Sequence, residues 1–262
     1  MKKIAFIKFA GLAAGGCEKY LQNIACILSN SQQFEVDYYY TNAAPYINWS
    51  SPFIHPDNDE SRQKIMEDHQ INLIKVDVQN KDGSGPPYEW INTNFWELFD
   101  EDQYDYSPVS LEAYSQIKNE NNYFIIMGAS EQHRKFAEQI NCPHIKFIDF
   151  SSCVNDIHDF LGGIDVFAHA RNDGEVCSAA IIEALYHGKP VISHPAMNMG
   201  HQEQIEGCGK MVYSVQEYAQ EMLTLEQNDA YYQTLSLAAE EKYTAKYSYS
   251  TIRDKILQLY KT

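Results

Sequence analysis

The 29 residues from Asp165 to Ser193, DVFAHARNDGEVCSAAIIEALYHGKPVIS, constrain this chain more than any other stretch. Asp165 to His169 is a short apolar run that suits a buried strand, and Arg171 to Gly174 is a polar turn. Ser178 to His187 then reads as a helix, apolar on nearly every face. Gly188 stands where a left-handed residue closes a helix, and Pro190 prevents its resumption. Val191 to Ser193 starts the next strand, so the stretch spells one βαβ unit of a parallel sheet.

Glu183 is the odd residue, because a helix that is apolar all round is expected to be buried and a buried carboxylate needs a partner. Glu175 lies eight positions earlier, and eight residues of helix span about 12 Å. That is close to the separation of sugar and ribose in a nucleotide-diphosphate sugar. Between the two carboxylates lies a helix start at Cys177, Ser178 and Ala179, whose N–H groups and dipole favour phosphate. One carboxylate would hold sugar hydroxyls, the amides the diphosphate, and the other carboxylate the ribose. The alternative is that Glu183 pairs with a nearby Lys, Arg or His and is purely structural.

Gly174, Glu175, Glu183, Ala184, Gly188, Pro190, Val191 and Ile192 together resemble the E-x7-E motif of the retaining GT-B glycosyltransferases (glycosyl transferases group 1, family four). Gly200, Glu203, Gly207, Gly209 and Val212 are similar to that family's next conserved run. The pattern departs after the first Glu, where Val176, Cys177 and Ser178 replace Gly-Phe-Gly. The resemblance implies Glu175 at the donor sugar and as the catalytic carboxylate, Glu183 at the ribose, and retention by a front-face route without a covalent enzyme nucleophile. It implies no bound metal and no cofactor, the nucleotide-diphosphate sugar being substrate.

Composition narrows the rest. A formal charge of −16 argues against nucleic acid and against electrostatic docking on anionic lipid. With 44% hydrophobic residues the chain can build a core. No apolar run approaches the length of a membrane span, and the N-terminus lacks a signal-peptide pattern, so a cytoplasmic protein is expected. The six cysteines form no C-x-x-C pair and are expected to be free thiols.

Upstream, residues 3–9 suit a central strand, and Cys17 to Leu28 suits an amphipathic helix with Tyr20, Leu21, Ile24, Ala25 and Leu28 on one face. Gly15 and Gly16 in the turn between them resemble the family's G-G-x-E, which faces donor or acceptor; an ordinary tight turn is the alternative. Further strands are expected at 34–40, 71–78, 123–127, 144–148 and 210–212, and helices at 61–69, 87–99, 107–119, 131–140, 155–161, 215–226, 230–246 and 250–260. Gly128, Ala129 and Ser130 make a phosphate-side loop after a strand. Asp57-Asn58-Asp59 and Asp100-Glu101-Asp102 are expected to be solvated acidic turns rather than D-x-D metal sites.

The expected fold is α/β of GT-B type: two Rossmann-like, doubly wound parallel-sheet domains facing a cleft, 1–106 on the acceptor side and 107–262 for the nucleotide sugar. The first is incomplete, because two half-matches meet at residues 105–107 as though an internal segment were lacking, and neither the family's donor-side histidine nor its Arg/Lys pair has a matching position. The implied activity is transfer of a hexose-type sugar to a glycan, lipid-linked or other acceptor in polysaccharide biosynthesis, with peripheral membrane contact allowed. A non-catalytic nucleotide-sugar-binding protein and a GT-B sugar-nucleotide epimerase are the alternatives.

Overall fold

The computed structural model describes residues 2–7, 12, 16–41, 57–76, 108–129, 131–151, 153–171 and 174–260. The chain divides into two compact units, residues 1–100 with 249–262, and residues 101–248. Asp100 to Asp102, the helix expected at 87–99 and the junction at 105–107 lie outside the described residues.

In the first unit β1 (Lys2–Ile7), β2 (Phe34–Thr41) and β3 (Asn72–Val76) form a parallel sheet in that order. The central strand is therefore β2, and β1, expected to be central, is at the edge of the described sheet. In β2 Phe34, Val36 and Tyr38 alternate into the core. Helix α1 (Gly16–Asn30) covers the sheet through Ala25 and Leu28, both fully buried. Tyr20, assigned to that face, is instead 66% exposed, while the adjacent Leu21 packs against the core. Asp57 and Asp59 do not sit in a loop; they open α2 (Asp57–Asp68), where acidic residues suit the helix dipole.

The second unit alternates as expected. α3 (Val109–Ile117), β4 (Phe124–Met127), α4 (Glu131–Ile140), β5 (Ile145–Ile148) and α5 (Val154–Gly163) come first. β6 (Phe167–Ala168), β7 (Gly174–Glu175), α6 (Ala179–Tyr186), β8 (Val191–Ser193), β9 (Asn198–Met199), α7 (Gly200–Ile205) and β10 (Gly209–Met211) follow. α8 (Val215–Gln227), α9 (Asp229–Lys242), a π-helical turn at Tyr243–Tyr247 and α10 (Tyr249–Leu259) end the chain. β10, β8 and β6 are parallel neighbours, β4 pairs with β5, and β7 with β9, all parallel.

Helices cover both faces of the β6–β8–β10 ladder. Val191 packs with Leu185, Ile205 and Ala239 on one face, while its neighbour Ile192 packs with Ala113, Val212 and Tyr218 on the other. Successive strand residues point to opposite faces, so a strand buried on both must be a continuous apolar run, as Val191-Ile192 is. Each such side chain, fully removed from water, contributes about 1.5–3 kcal/mol.

The last helix behaves differently. α10 was read with residues 107–262, yet Ile256 is buried in the first unit's cluster with Leu28 and Phe34, and Phe34 meets Tyr260 edge-on at 6.2 Å.

Candidate functional site

Ser178 sets the start of α6. Its backbone is extended (φ −80°, ψ 119°), and its Oγ accepts from the Ile181 N–H at 3.4 Å, the geometry of an N-cap. Gly188 closes the helix at φ +63°, as its sequence position demands. The eight steps from Glu175 to Glu183 are thus not one helical run. Glu175 belongs to β7, the chain bends at Val176 and Cys177, Ser178 is extended, and helix begins at Ala179. Nor is α6 buried all round: Ala179 and Ala180 are exposed and Glu183 is half-buried. An open first turn presents backbone N–H groups that have no partner within the helix.

The loop before α6 is held from the other side by β9 and α7. β7 pairs with β9, Gly174 beside Asn198 and Glu175 beside Met199. Gly200 lies so close to the loop that a Cβ there would fall 2.1 Å from the Val176 carbonyl oxygen and 2.6 Å from that of Glu175. Gln204, buried, accepts from the Ser178 N–H at 2.7 Å and donates to the Ser178 carbonyl at 3.0 Å. The Ser178 amide is therefore already engaged, and the exposed residues of the first helical turn are Ala179 and Ala180.

Glu175 lies beside one histidine and one arginine. His169 Nε2 lies 3.7 Å from its Oε1, beyond hydrogen-bond length, and an Arg171 guanidinium nitrogen lies 3.6 Å away. Burial pushes this carboxyl up, but His169 and the Arg171 charge outweigh it, so its pKa ends below the ordinary glutamate value. His169, 4% exposed, is fixed through Nδ1 to Ser193 Oγ at 2.9 Å, and the His201 ring lies 5.2 Å from its own. His201 Nε2 contacts the His194 carbonyl at 3.1 Å. Burial lowers the pKa of both His194 and His201, which keeps them neutral. The Cys177 thiol is pushed up by burial and by the charges of Glu175 and Glu203, so it stays protonated and is a poor nucleophile.

Gly128 and Gly16 lie on other stretches of the chain. Gly128 turns the chain at φ +72° after β4, with its N–H on the Ile148 carbonyl. Gly16 opens α1 in the other unit, and Gly15 lies outside the described residues. Gln204 and His201 were not foreseen as site residues; buried polar side chains on a short helix were their only signal in sequence.

Residues 100–228 match the family model of the glycosyl transferases group 1. That match spans most of the second unit and contains the whole Glu175–Gln204 arrangement. No curated protein sequence matches this one. Among solved structures the chain is similar to HepE of Anabaena in complex with UDP, at 14% identity and a TM-score of 0.68 over 99% of each chain. A glycosyltransferase from Rickettsia africae is similar at 14% identity and a TM-score of 0.61, over 99% of this chain and 98% of that one. Sucrose-phosphate synthase from Thermosynechococcus elongatus is similar at 12% identity and a TM-score of 0.56, with the same coverage. The fold is of the GT-B glycosyltransferase type, mixed α/β with parallel sheets. No helix among the described residues is long and apolar enough to cross a membrane.

Proposed function

We propose that the chain is a retaining glycosyltransferase of the E-x7-E class, which moves a hexose-type sugar from a nucleotide-diphosphate sugar to a glycan, lipid-linked or other acceptor. The observation that carries this reading is the placement of two carboxylates around the open start of α6. Glu175 lies before it and Glu183 four residues inside it, with Ala179 and Ala180 exposed between. The helix amides and dipole meet the diphosphate, stabilise it as it leaves and require no metal. Glu175, kept ionised by its neighbours, accepts from sugar hydroxyls, and Glu183 from the ribose. The fold neighbour HepE has been crystallised with UDP and with UDP-glucose, which makes uridine donors the first to try. A cytoplasmic enzyme of polysaccharide biosynthesis suits this donor chemistry.

The test is a thermal-shift screen against UDP, GDP, ADP, CMP and their sugars, followed by product analysis with the donor that binds. A ligand bound by the native state raises the melting point. A selective shift with one base, lost in Glu183→Ala, and a product of unchanged anomeric configuration are expected. A Glu183→Ala variant with unchanged affinity removes ribose recognition from this reading. Release of free nucleotide with an epimerised sugar replaces transfer by epimerisation.

A further inference from the structure

His169 has one ring nitrogen satisfied and one not. Its backbone is held on both sides of the residue: the N–H donates to the Ile192 carbonyl at 2.9 Å, and the carbonyl accepts from the Tyr218 hydroxyl at 3.4 Å. Nδ1 meets the Ser193 hydroxyl at 2.9 Å, and Ser193 is fully buried. The His201 ring lies 5.2 Å from the His169 ring. This imidazole has little freedom to turn. Its Nε2 is nevertheless buried without a hydrogen-bond partner among the described residues, 3.7 Å from Glu175 Oε1.

Buried polar atoms are nearly always paired, and a histidine kept only for packing would have both nitrogens satisfied. An unmatched Nε2 beside a carboxylate points to a bond completed when that carboxylate is in use. Hydrogen bonds at active sites are often long before substrate binds and shorten in the complex. Closing this one takes a movement of about 0.5–1 Å, because N–H···O bonds are about 2.7–3.2 Å long.

The three groups also fix where the proton sits. A carboxylate only accepts, so Nε2 must carry hydrogen to bond it. A hydroxyl donates or accepts, so Ser193 serves Nδ1 in whichever role remains. Arg171 approaches the same Glu175 oxygen at 3.6 Å, but its side chain is 41% exposed. Exposed side chains change rotamer quickly, so Arg171 contributes charge while the buried ring contributes direction.

We propose that His169 is a positioning residue for Glu175: its Nε2–H, backed at Nδ1 by the Ser193 hydroxyl, holds the carboxylate at the angle from which it meets the donor sugar. This rests on the donor-site reading above, in which Glu175 accepts from sugar hydroxyls. His169 then acts on the sugar half of the donor and not on the nucleotide half, which belongs to Glu183 and the start of α6.

The test compares two variants that differ in where the side-chain amide falls. Gln places its N–H where Nε2 stands, and Asn places its own where Nδ1 stands. The probes are whichever of UDP with UDP-glucose, GDP with GDP-mannose or ADP with ADP-glucose raises the melting point of the parent protein. His169→Asn should lower kcat/KM for the sugar donor at least about tenfold, as a misplaced reacting group does, and leave affinity for the bare diphosphate unchanged. His169→Gln should recover most of that loss. Ser193→Ala, which removes the partner of Nδ1 and leaves the ring in place, should lower kcat/KM less and also spare diphosphate affinity; it carries the test if His169→Asn does not fold. Nitrogen-15 spectra of the free parent at about pH 8, where an ordinary imidazole is neutral, should show hydrogen on Nε2 of His169. Hydrogen on Nδ1 alone overturns the proposal, as do equal kcat/KM values in the Asn and Gln variants or a loss of diphosphate affinity that parallels the loss of activity. A parent that binds none of the probes overturns the donor-site reading and this one with it. A parent that transfers sugar no better than His169→Asn and Ser193→Ala overturns this one alone.

Discussion

The side-chain amide of Gln204 grips the peptide groups of Ser178 from both sides, accepting from its N–H at 2.7 Å and donating to its carbonyl at 3.0 Å. Twenty-six residues separate the two, so a short helix in one part of the chain fixes the start of α6 in another.

Gln204→Leu should leave the Ser178 N–H unmatched in a position with 0% exposure, while the Ser178 carbonyl keeps the Ile182 N–H at 3.2 Å. The orphaned group costs about 1–3 kcal/mol, read as a lowered midpoint in denaturant unfolding. Gln204→Glu keeps an acceptor for the N–H and should fall between the two. An unchanged midpoint in Gln204→Leu would mean that the clamp does not hold the loop.

Gly200→Ala should be costly for a different reason. The added Cβ meets backbone at 2.1 Å, which cannot yield as a flexible side chain would. Overpacking of this kind costs about 1–3 kcal/mol, and here it should also displace the β7–β9 pair and weaken donor binding. Gly163→Ala is the control: nothing lies within 4 Å of its would-be Cβ, so its midpoint should hold or rise.

Glu175 gives an acid-side prediction. Its folded pKa is below the ordinary value, so the folded state binds this proton less readily than the unfolded chain. Its stabilising contribution is complete above the unfolded value of about 4.3 and is lost as pH falls through the lower folded value. Glu175→Gln should therefore flatten the melting-point profile below about pH 4.3 relative to the parent protein. Parallel profiles would show that His169 and Arg171 do not stabilise the ionised form.

The histidines act in a higher window with the same sign. Burial lowers the pKa of His187, His194 and His201, so the unfolded chain takes up protons first. Stability should decline as pH falls from about 6.5 toward the lower folded values. His187 Nε2 lies 2.7 Å from His158 Nδ1, and burial first, then the neighbouring His158 and Lys189 charges, oppose protonation of His187. Melting points from pH 8 to pH 5 measure it, and a flat curve would contradict it.

Ile256→Ala should weaken the first unit although Ile256 lies near the end of the sequence. Truncating a buried isoleucine costs about 2–5 kcal/mol. Hydrogen exchange should rise in α1 and β2, whose core it shares. Faster exchange confined to α8 and α9 would contradict this packing.

Much of the second unit was legible because its signals are local. Ser178, Gly188 and Pro190 mark the bounds of α6 by cap chemistry and φ, and the alternation of apolar runs foretold the strands. The same local reading misjudged burial. It took α6 as covered all round, whereas Ala179 and Ala180 are exposed, because periodicity reports which faces are apolar and not which are packed. It set β1 at the centre of its sheet from its apolar run alone, and it placed Asp57 and Asp59 in a loop when they open a helix.

By itself the sequence determined α6 and the strand runs on either side of it, since caps, turns and strand runs act over a few residues, whereas it read Gly174 as part of a turn where β7 forms. Tertiary structure alone decided that Gln204 clamps Ser178, that Gly200 abuts Val176, that Ile256 returns to the first core, and that His169 meets Ser193. Each of these is a contact between positions far apart along the chain, and it forms only when packing brings together groups whose separate propensities carry no record of one another.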